Sequence, residues 1–321
     1  MSQKVRWGII GAGRIAAQFA NDLQFANNAE LVAIAARSET RAQNFASQHN
    51  VPASYGSYEA LYGAEDIDAV YIATPHTHHK QQTASVIDAN KSVLCEKPLT
   101  INQEECQQLI SLSDRTDRYI MEGMWTYFLP AIQKAKQWIE EGFIGDIKHL
   151  KADFGYPQLP FDANRREYDK NLAGGCLLEM GIYPVAIAWF FLQRDPIAMN
   201  VLSRHAPNGV EDDITMVFDY GDFTATLATS FRCKLQNWCY IIGDKGYIAI
   251  PDFWRAKECS LYELETRVNH FTDNRQGLGF EFEIEAASND ILNNNKQSAV
   301  MPLLASLKFQ QHMDTIRSEF N

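Results

Sequence analysis

The sequence predicts an α/β protein in which a doubly wound parallel sheet is followed by an α+β domain with a large, predominantly antiparallel sheet. Two observations support this fold class. In the first third of the chain, short apolar runs alternate with helical patterns, which is the rhythm of parallel strands covered by helices on both faces. After Trp125 this rhythm changes, and two pairs of alternating runs flank turn residues, which is typical of antiparallel hairpins.

Length and composition indicate an ordinary folded protein. At roughly 150 residues per domain, 321 residues correspond to about two domains. We predict that these domains span residues 1–122 and 123–321. Hydrophobic residues make up 46% and charged residues 21% of the chain, so neither disorder nor a fibrous fold is indicated. The formal net charge of −11 repels phosphate backbones, which argues against a nucleic-acid partner.

The sequence predicts neither a membrane partner nor export. The longest apolar stretch, 182–192, contains a proline and is shorter than the ~18 residues of a spanning helix. The first ten residues lack the apolar core of a secretory signal. The six cysteines are scattered along the chain without a C-x-x-C pair. We therefore expect a cytoplasmic protein with free thiols.

The elements of the first domain follow from the spacing of its apolar residues. Ile15, Phe19 and Leu23 recur every four positions, which predicts an amphipathic helix. Asn102, with Glu105 three positions later, predicts a capping box at the start of another helix. The remaining predicted elements are strands over 5–10, 31–36, 69–73, 92–95 and 118–121, and helices over 41–49 and 79–89.

The elements of the second domain alternate between helices and hairpins. A helix over 130–141 ends at Gly142, and a strand over 147–154 follows it. A helix over 176–193 is stopped by Asp195-Pro196. One antiparallel meander is predicted from strands over 213–220, 223–231, 240–242 and 247–250, and helices over 280–294 and 302–319 close the chain.

A glycine-rich turn joins the first strand to the first helix. Gly11-Ala12-Gly13-Arg14-Ile15-Ala16 is a G-x-G-x-x-A pattern, which is typical of dinucleotide binding when it lies between a strand and a helix. The first glycine permits the tight turn, the second lets backbone approach a pyrophosphate, and N–H groups at the helix start face that anion. The alternative is a turn that only connects two elements. We predict that Gly11, Ala12, Gly13, Arg14 and Ile15 bind the cofactor.

The end of the second strand favours NADP over NAD. NAD sites of this kind usually place a carboxylate there to bind the ribose hydroxyls, whereas this chain has Ala36-Arg37-Ser38. Arg37 and Ser38, together with Arg41, are able to donate hydrogen bonds to a 2′-phosphate. NAD is the alternative cofactor, and the alternative interpretation of Arg37 is a solvated surface charge.

A lysine follows the apolar strand over 92–95. Glu96-Lys97-Pro98 places Lys97 at the carboxyl end of a strand, where open α/β sheets bind ligands. A cation at this position is able to hold a substrate hydroxyl and to lower the pKa of a nearby proton carrier. From spacing alone, an ordinary surface lysine is an equally good interpretation.

Four motifs in order resemble those of one enzyme family. They are Gly11-Ala12-Gly13-x-x-Ala16, Thr74-Pro75-x-x-x-His79, Glu96-Lys97-Pro98, and Gly174-Gly175 before a helix. This succession resembles the Gfo/Idh/MocA oxidoreductase family and covers nearly the whole chain. The resemblance implies an N-terminal Rossmann domain, a C-terminal α/β domain built on a predominantly antiparallel sheet, and oxidation of sugar or cyclitol hydroxyls with a nicotinamide cofactor.

The resemblance also implies roles for individual residues. Lys97 is expected to be catalytic, with a cis bond before Pro98. His79 is expected near the cofactor or at a helix start, and the C-terminal sheet is expected to form a dimer or tetramer interface. The implied cofactor-site residues are Thr74, Pro75, His79, Glu96 and Lys97.

A narrower resemblance concerns the helix after Gly175. Most of the family carries Asp and His where this chain has Glu179 and Tyr183. Tyrosine at the second position is similar to the branch of dihydrodiol dehydrogenases and NADP-linked D-xylose dehydrogenases. The chain departs from that branch in Glu179, where Asp is usual, and in Tyr127, where Arg is frequent. The expected substrate is therefore a vicinal diol in a ring, either a sugar or an aromatic dihydrodiol.

Glu179 and Tyr183 are the candidate partners of Lys97. They lie four positions apart in a predicted helix and so share one face, next to glycines that let backbone approach a ligand. A free phenol titrates near ~10, and a nearby ammonium group stabilises the phenolate. We predict that Tyr183 exchanges the hydroxyl proton, that Lys97 orients the oxygen, and that Glu179 binds a second hydroxyl. A core tyrosine with a satisfied hydroxyl is the alternative.

Aromatic and histidine residues near the predicted strand ends admit two interpretations. Trp125, Phe154 and Tyr156 are expected either to line the substrate site or to pack in the core, with equal support. His76, His78 and His79 lie in one turn without a matching carboxylate or cysteine pair, so no bound metal is expected.

Two functions remain open from the sequence. The first is an NADP-dependent dehydrogenase for a small polyol, acting as a homo-oligomer. The second is a nicotinamide-binding sensor or scaffold of the same fold, because fold alone does not fix function. The presence of both Lys97 and Tyr183 favours the enzyme.

Overall fold

The computed structural model describes residues 3–320 and divides into two compact units. The first unit comprises the chain up to Trp125 together with Arg275–Leu307, and the second comprises Thr126–Asn274 and the segment from Lys308 onward. The sequence interpretation assigned 275–307 to the second domain, whereas these residues pack with the first unit. All six cysteines are free, and only Cys233 is exposed.

The first unit is a doubly wound parallel sheet, as predicted. Its six strands run in the order β3-β2-β1-β4-β5-β6, and every pair is parallel. Strands β4 and β5 are buried along their whole length, which explains why they appear in the sequence as uninterrupted apolar runs. The strands are β1 Val5–Ile10, β2 Ala29–Ala35, β3 Ala53–Tyr55, β4 Ala69–Ile72, β5 Ser92–Glu96 and β6 Ile120–Gly123. The helices are α1 Arg14–Leu23, α2 Glu39–His49, α3 Tyr58–Tyr62, α4 His79–Asp88 and α5 Gln103–Arg115.

The predicted capping box at α5 is half formed. Asn102 Oδ1 accepts a hydrogen bond from the Glu105 backbone N–H at 2.9 Å, as expected of an N-cap. The Glu105 carboxylate instead accepts the N–H of Ile101 at 3.3 Å, one residue before the cap.

Helix α8, Phe280–Leu292, is fixed to the first unit by a distant cap. The Asp22 carboxylate on α1 accepts the backbone N–H groups of Leu278, Gly279 and Phe280 at 2.8, 2.9 and 3.0 Å. A negative charge at a helix N-terminus satisfies donors that have no partner inside the helix. The cap therefore draws 275–307 onto the first unit, although the motif is spread over more than 250 positions of sequence.

The second unit is built on an eight-stranded sheet in the order β14-β13-β12-β11-β7-β10-β9-β8. The prediction of one antiparallel meander is wrong, because β7 lies between two meanders and pairs parallel with β10. The sheet is otherwise antiparallel, as predicted. Its strands are β7 Ile147–Gly155, β8 Ala198–His205, β9 Glu211–Asp219, β10 Thr224–Ser230, β11 Cys239–Gly243, β12 Tyr247–Ile250, β13 Glu258–Glu263 and β14 Thr266–Thr272. The remaining helices are α6 Pro130–Glu140, α7 Ile182–Leu192 and α9 Leu303–Ser318.

The predicted helix over 176–193 is divided in the structure. Leu177–Gly181 forms a π-helical turn, and α7 begins after it. A Cβ on Gly181 would lie 3.0 Å from the Thr229 side chain, so this turn sits close against β10. Turns of this type insert one residue into a helix and are frequent at functional sites.

Helix α7 is apolar on every side, which is typical of a helix buried in the interior. Among the described residues, Lys170–Leu192 is one stretch whose length and composition would suffice to cross a membrane. Its most apolar window is 89% buried inside the protein, as in the core helix of a globular unit.

Candidate active site

The glycine turn lies directly against the end of β4. Gly11 has φ +95°, and a Cβ there would lie 2.5 Å from the Ala73 carbonyl oxygen. Gly13, the N-cap of α1, faces open space, and no side chain caps the helix. The first turn of α1 also carries no acidic residue. Uncapped N–H groups and open space at a helix start suit a pyrophosphate, so this turn fits a dinucleotide. Arg14, the first residue of α1, is exposed beside it.

Arg37, Ser38 and Arg41 come together at the end of β2. Ser38 is the N-cap of α2 and accepts the Arg41 backbone N–H at 3.5 Å. The Arg41 guanidinium donates to the Ala12 carbonyl of the glycine turn at 3.4 Å. Burial raises the pKa of Tyr58, whereas the charges of Arg37 and Arg41 lower it, so both guanidinium groups lie near this phenol. Two cations and a hydroxyl beside the glycine turn are suitable donors for a 2′-phosphate.

Lys97 is half-buried at the carboxyl end of β5, and its bond to Pro98 is cis, which confirms the expectation from the resemblance. The Glu96 carboxylate accepts the Lys97 backbone N–H at 3.2 Å and the hydroxyl of buried Tyr71. Glu122 lies close to the same turn, since it accepts the Leu99 N–H at 2.9 Å. Burial raises the pKa of Glu122 to about 7, against the lowering effect of the Lys97 charge.

His79, the first residue of α4, joins the turns after β4 and β5. Its Nδ1 lies 2.7 Å from the Pro98 carbonyl oxygen and its Nε2 lies 2.7 Å from the Thr74 carbonyl oxygen. The Thr74 hydroxyl in turn donates to Gln82. Thr74 and Pro75 are half-buried at the end of β4. His79 thus links the Thr74-Pro75 turn to the Glu96-Lys97-Pro98 turn.

An aromatic cluster surrounds Tyr183 in the second unit. Phe154, near the end of β7, packs edge-on against Tyr183 with ring centroids 5.2 Å apart. Trp254 stacks on Phe154 at 5.0 Å and meets Tyr183 at 6.1 Å. Tyr156 packs edge-on against Phe154 with ring centroids 5.8 Å apart. Three of these ring pairs meet edge to face, and Phe154 and Tyr183 are buried, so the four rings form a packed cluster. Its half-buried members, Tyr156 and Trp254, provide apolar surface of the kind that ring substrates contact.

Asn237 holds the aromatic cluster in place. Its backbone N–H donates to the Asp153 carboxylate at 2.6 Å, and its side-chain oxygen accepts the Gly155 N–H at 3.0 Å. Its carbonyl accepts the Phe253 N–H at 3.2 Å, which fixes the turn that carries Trp254. Asn237 adopts a positive φ of 65°, which asparagine tolerates better than most residues.

Glu179 lies on the π-helical turn and forms a two-point ion pair with Arg166. The two guanidinium nitrogens Nη1 and Nη2 lie 2.8 and 2.6 Å from the two carboxylate oxygens. The hydrogen bonds to Glu179 raise the pKa of Arg166 above its ordinary value, so the guanidinium stays charged. Gly174 lets this loop fold tightly, because a Cβ there would lie 2.7 Å from the Glu167 carbonyl oxygen.

The structure distributes the predicted site residues between the two units. The first unit contains the glycine turn, the Arg37 group, the Thr74-Pro75 turn, His79 and Lys97. Trp125 also belongs to it and stacks on Phe280 at 4.5 Å. The second unit contains Glu179 and Tyr183 on consecutive helical turns, with Phe154 beside Tyr183 and Tyr156 beside Phe154.

Sequence analysis missed Arg166, Trp254 and Asn237. Arg166 begins a single 3-10 turn within a polar loop, where no periodicity marks a position. Trp254 lies in a similar turn between β12 and β13. The Gly174-Gly175 pair was the available signal for the loop that contains Arg166, because two adjacent glycines indicate close backbone packing.

The three histidines near the Thr74-Pro75 turn do not form a metal site. His76 and His79 have ring centroids 5.7 Å apart. Within residues 3–320, no group of three or more His, Cys, Asp or Glu side chains is arranged to hold a metal ion.

Comparison with known proteins places the chain in a family. Residues 5–124 match the model of an oxidoreductase family with an NAD-binding Rossmann fold, and residues 132–249 match the GFO/IDH/MocA C-terminal domain. The chain belongs to the GFO/IDH/MocA family. It is therefore an NAD(P)-dependent dehydrogenase by family, which confirms the resemblance stated from the motifs.

Relatives and solved structures extend this comparison. Trans-1,2-dihydrobenzene-1,2-diol dehydrogenase of Xenopus laevis is 33% identical over 319 residues, covering 96% of each chain. The Bos taurus protein of the same name is 31% identical over 327 residues, covering 98% of this chain and 96% of its own. A 3-ketoreductase of Actinomadura kijaniata, solved with NADP and TDP-benzene, has a TM-score of 0.86 at 23% identity and covers 99% of this chain and 98% of its own. At that identity the structural match supports the fold alone.

Proposed function

We propose that this GFO/IDH/MocA dehydrogenase transfers a hydride between a vicinal diol in a ring, either a sugar or an aromatic dihydrodiol, and NADP. The observation that carries the proposal is the aromatic cluster, in which Phe154 and Trp254 pack beside Tyr183, together with the ion-paired carboxylate of Glu179 four positions before Tyr183. The rings suit the apolar face of a cyclic substrate, and the carboxylate suits a hydroxyl. Relatives named dihydrodiol dehydrogenases support the same substrate class.

Lys97 and Tyr183 are the proposed catalytic residues. The Lys97 ammonium group orients and polarises the reacting hydroxyl, and the Tyr183 phenol exchanges its proton. Bound nicotinamide supplies the hydride acceptor or donor at the adjacent carbon. Glu179 binds the second hydroxyl of the diol, and the two contacts from Arg166 hold that carboxylate in a fixed orientation to accept the hydrogen bond.

NADP is the proposed cofactor because cations replace the usual acidic residue after β2. Arg37 is exposed there, and Arg41 reaches the glycine turn through the Ala12 carbonyl. The carboxylate nearest in sequence, Glu39, accepts a hydrogen bond from Gln43 at 3.0 Å. A phosphorylated ribose would therefore meet positive charge, whereas an NAD site would offer a carboxylate to the free hydroxyls.

The proposed setting is a homo-oligomer in the cytoplasm. Half-buried Tyr240, Tyr247 and Tyr262 form a row across β11, β12 and β13, with ring centroids 6.4 and 4.8 Å apart. A second copy laid on this sheet face would cover the row, giving a dimer or a tetramer.

Six free cysteines suit a reducing compartment. With a net charge of −11, no nucleic acid is expected as a partner.

The proposal is tested by mixing the protein with NADP⁺ or NAD⁺ and a panel of trans-dihydrodiols, pentoses, hexoses and cyclitols, and recording absorbance of the reduced nicotinamide. We expect turnover with a cyclic diol and NADP⁺. Tyr183→Phe should remove most of the turnover and leave the Kd for NADPH unchanged, whereas Tyr220→Phe, a buried phenol elsewhere in the same unit, should leave both unchanged.

A nicotinamide-binding sensor is the second candidate function, because the glycine turn alone would support binding. It predicts tight NADPH binding and no turnover with any member of the panel. That result would contradict the dehydrogenase proposal.

A further inference from the structure

We propose that His79 is a positioning residue that holds the turns after β4 and β5 in its doubly protonated form. Both ring nitrogens point at backbone carbonyl oxygens, that of Thr74 in one turn and that of Pro98 in the other, each at 2.7 Å. His79 thereby holds the turn that carries Thr74-Pro75 next to the turn that carries Lys97-Pro98.

The protonation state follows from the chemistry of the two partners. A neutral imidazole has one N–H donor and one nitrogen that only accepts. A backbone carbonyl oxygen has no proton to donate, so the accepting nitrogen of a neutral ring would face another lone pair. Both distances lie at the short end of the 2.7–3.2 Å range of N–H···O hydrogen bonds. The conformation described here therefore requires two N–H groups on His79.

The surroundings of His79 make its second ring proton dependent on pH. Burial lowers the pKa of His79, and the neighbouring charges of Lys97 and His78 act in the same direction, whereas the hydrogen bonds to Pro98 and Thr74 raise it. The His76 ring lies 5.7 Å away. Loss of the proton leaves one nitrogen without a donor, so one turn must move away. The two-point contact is therefore complete at lower pH and is lost as the pH rises through the pKa of His79.

The consequence concerns the position of Lys97. Pro98 follows Lys97 directly, so release of the Pro98 carbonyl frees the turn that aims the ammonium group. A displacement of about 1 Å in a catalytic group is able to cost about 10²-fold in rate. In this respect the inference rests on the proposed function, whereas the protonation state of the ring does not.

The direct test is nitrogen NMR of the full-length protein with ¹⁵N-labelled histidine, recorded from pH 8 down to the lowest pH at which the protein stays folded. We expect both ring nitrogens of His79 to carry protons at the acid end of this range, with resonances assigned by their disappearance in His79→Gln. His312→Gln is the matched control. His312 is also buried, but its Nε2 contacts Asp195 at 3.0 Å and its Nδ1 has no hydrogen-bond partner. A His79 ring with a single N–H over the whole pH range would overturn the proposal.

The functional test compares kinetics with cofactor binding. His79→Gln supplies one amide nitrogen and is unable to donate in both directions. We expect kcat to fall by about 10²-fold and the Kd for NADPH to change less. In the wild type, loss of the His79 proton should lower kcat as the pH rises, and this pH dependence should be absent in His79→Gln. Equal activity in His79→Gln and the wild type would overturn the positioning role. If both His79 nitrogens carry protons but the wild type shows no turnover, the protonation of the ring is supported and the proposed function is contradicted.

Discussion

Arg166 and Glu179 meet through two parallel N–H···O contacts, of 2.8 and 2.6 Å, across thirteen positions of sequence. Geometry of this kind fixes the plane of the carboxylate as well as its charge. The Glu179 side chain is 20% exposed and that of Arg166 is 37% exposed, so the pair still contacts solvent. Its main contribution is therefore to orientation of the carboxylate rather than to stability of the fold.

Replacing Arg166 should weaken substrate binding. In Arg166→Gln, the Glu179 carboxylate loses its fixed plane, and we expect the KM for the diol to rise about tenfold, equivalent to about 1.4 kcal/mol. Arg166→Lys keeps the charge without the two-point contact and should give an intermediate KM. Steady-state kinetics provides the measurement. Arg165→Gln, a neighbour that bonds Gln158 instead, is the control. The same KM in both Gln variants would contradict the role of Arg166.

Reversing the charge at Arg37 should change cofactor preference. In Arg37→Asp a carboxylate replaces a phosphate-binding cation, so the Kd for NADPH should rise far more than the Kd for NADH. Fluorescence titration of both cofactors measures the ratio. Arg204→Asp, on an exposed strand of the other unit, controls for net charge and should leave both values unchanged. Equal effects of Arg37→Asp on the two cofactors would be incompatible with this assignment.

Tyr127, which stands where Arg is frequent in the branch of dihydrodiol dehydrogenases, has a structural role in this chain. Its buried hydroxyl donates to the Ala186 carbonyl of α7 at 2.6 Å, and its ring packs on Phe190 at 4.5 Å. Tyr127→Phe removes this hydrogen bond while Ala186 stays inside α7, and we expect a loss of about 1 kcal/mol in the free energy of unfolding. Urea denaturation measures it, and the Kd for NADPH should not change. An unaltered unfolding midpoint would show that the hydroxyl contributes nothing.

The raised pKa of Glu122 should appear in the pH dependence of stability. Burial moves this pKa from 4.5 to about 7, so the folded protein holds a proton that the unfolded chain releases. The corresponding stability is fully present below pH 4.5 and is lost as the pH rises toward 7, by an amount on the order of 3 kcal/mol. Glu122→Gln stays neutral and should lose less stability over that interval. Urea unfolding at both pH values measures the difference, with exposed Glu104→Gln as the control. Parallel curves for wild type and Glu122→Gln would exclude this contribution.

Periodicity predicted the elements whose burial is uniform or regularly alternating. The helix over Arg14–Leu23 and the strand over Val5–Ile10 have such patterns, and both occur where expected. Strand β14 was missed because it is almost wholly exposed, so its side chains carry no apolar alternation. Strand β3 was missed because three residues are too few to establish a period.

The candidate site was predictable where backbone conformation or motif order determines a residue. Position 11 requires glycine because its φ is positive and the Ala73 carbonyl oxygen lies too close for a side chain. Lys97 is marked by the Glu96-Lys97-Pro98 motif at the end of a strand. Arg166 and Trp254 were not predictable, because their places depend on loop folding and on pairing between distant segments. The same reason hid the contact between Asp22 and the start of α8.

That contact affects the order in which the polypeptide matures. Asp22 is synthesised long before the amides of Leu278, Gly279 and Phe280 that it binds, because residues 126–274 of the second unit lie between them in the chain. Until then, the indole of Trp7 lacks the Ser288 hydroxyl to which it donates at 3.0 Å. Residues up to Trp125 therefore stay incomplete as a folded unit until the segment 275–307 has been synthesised, and a fragment cut after the sixth strand would not reproduce the finished unit.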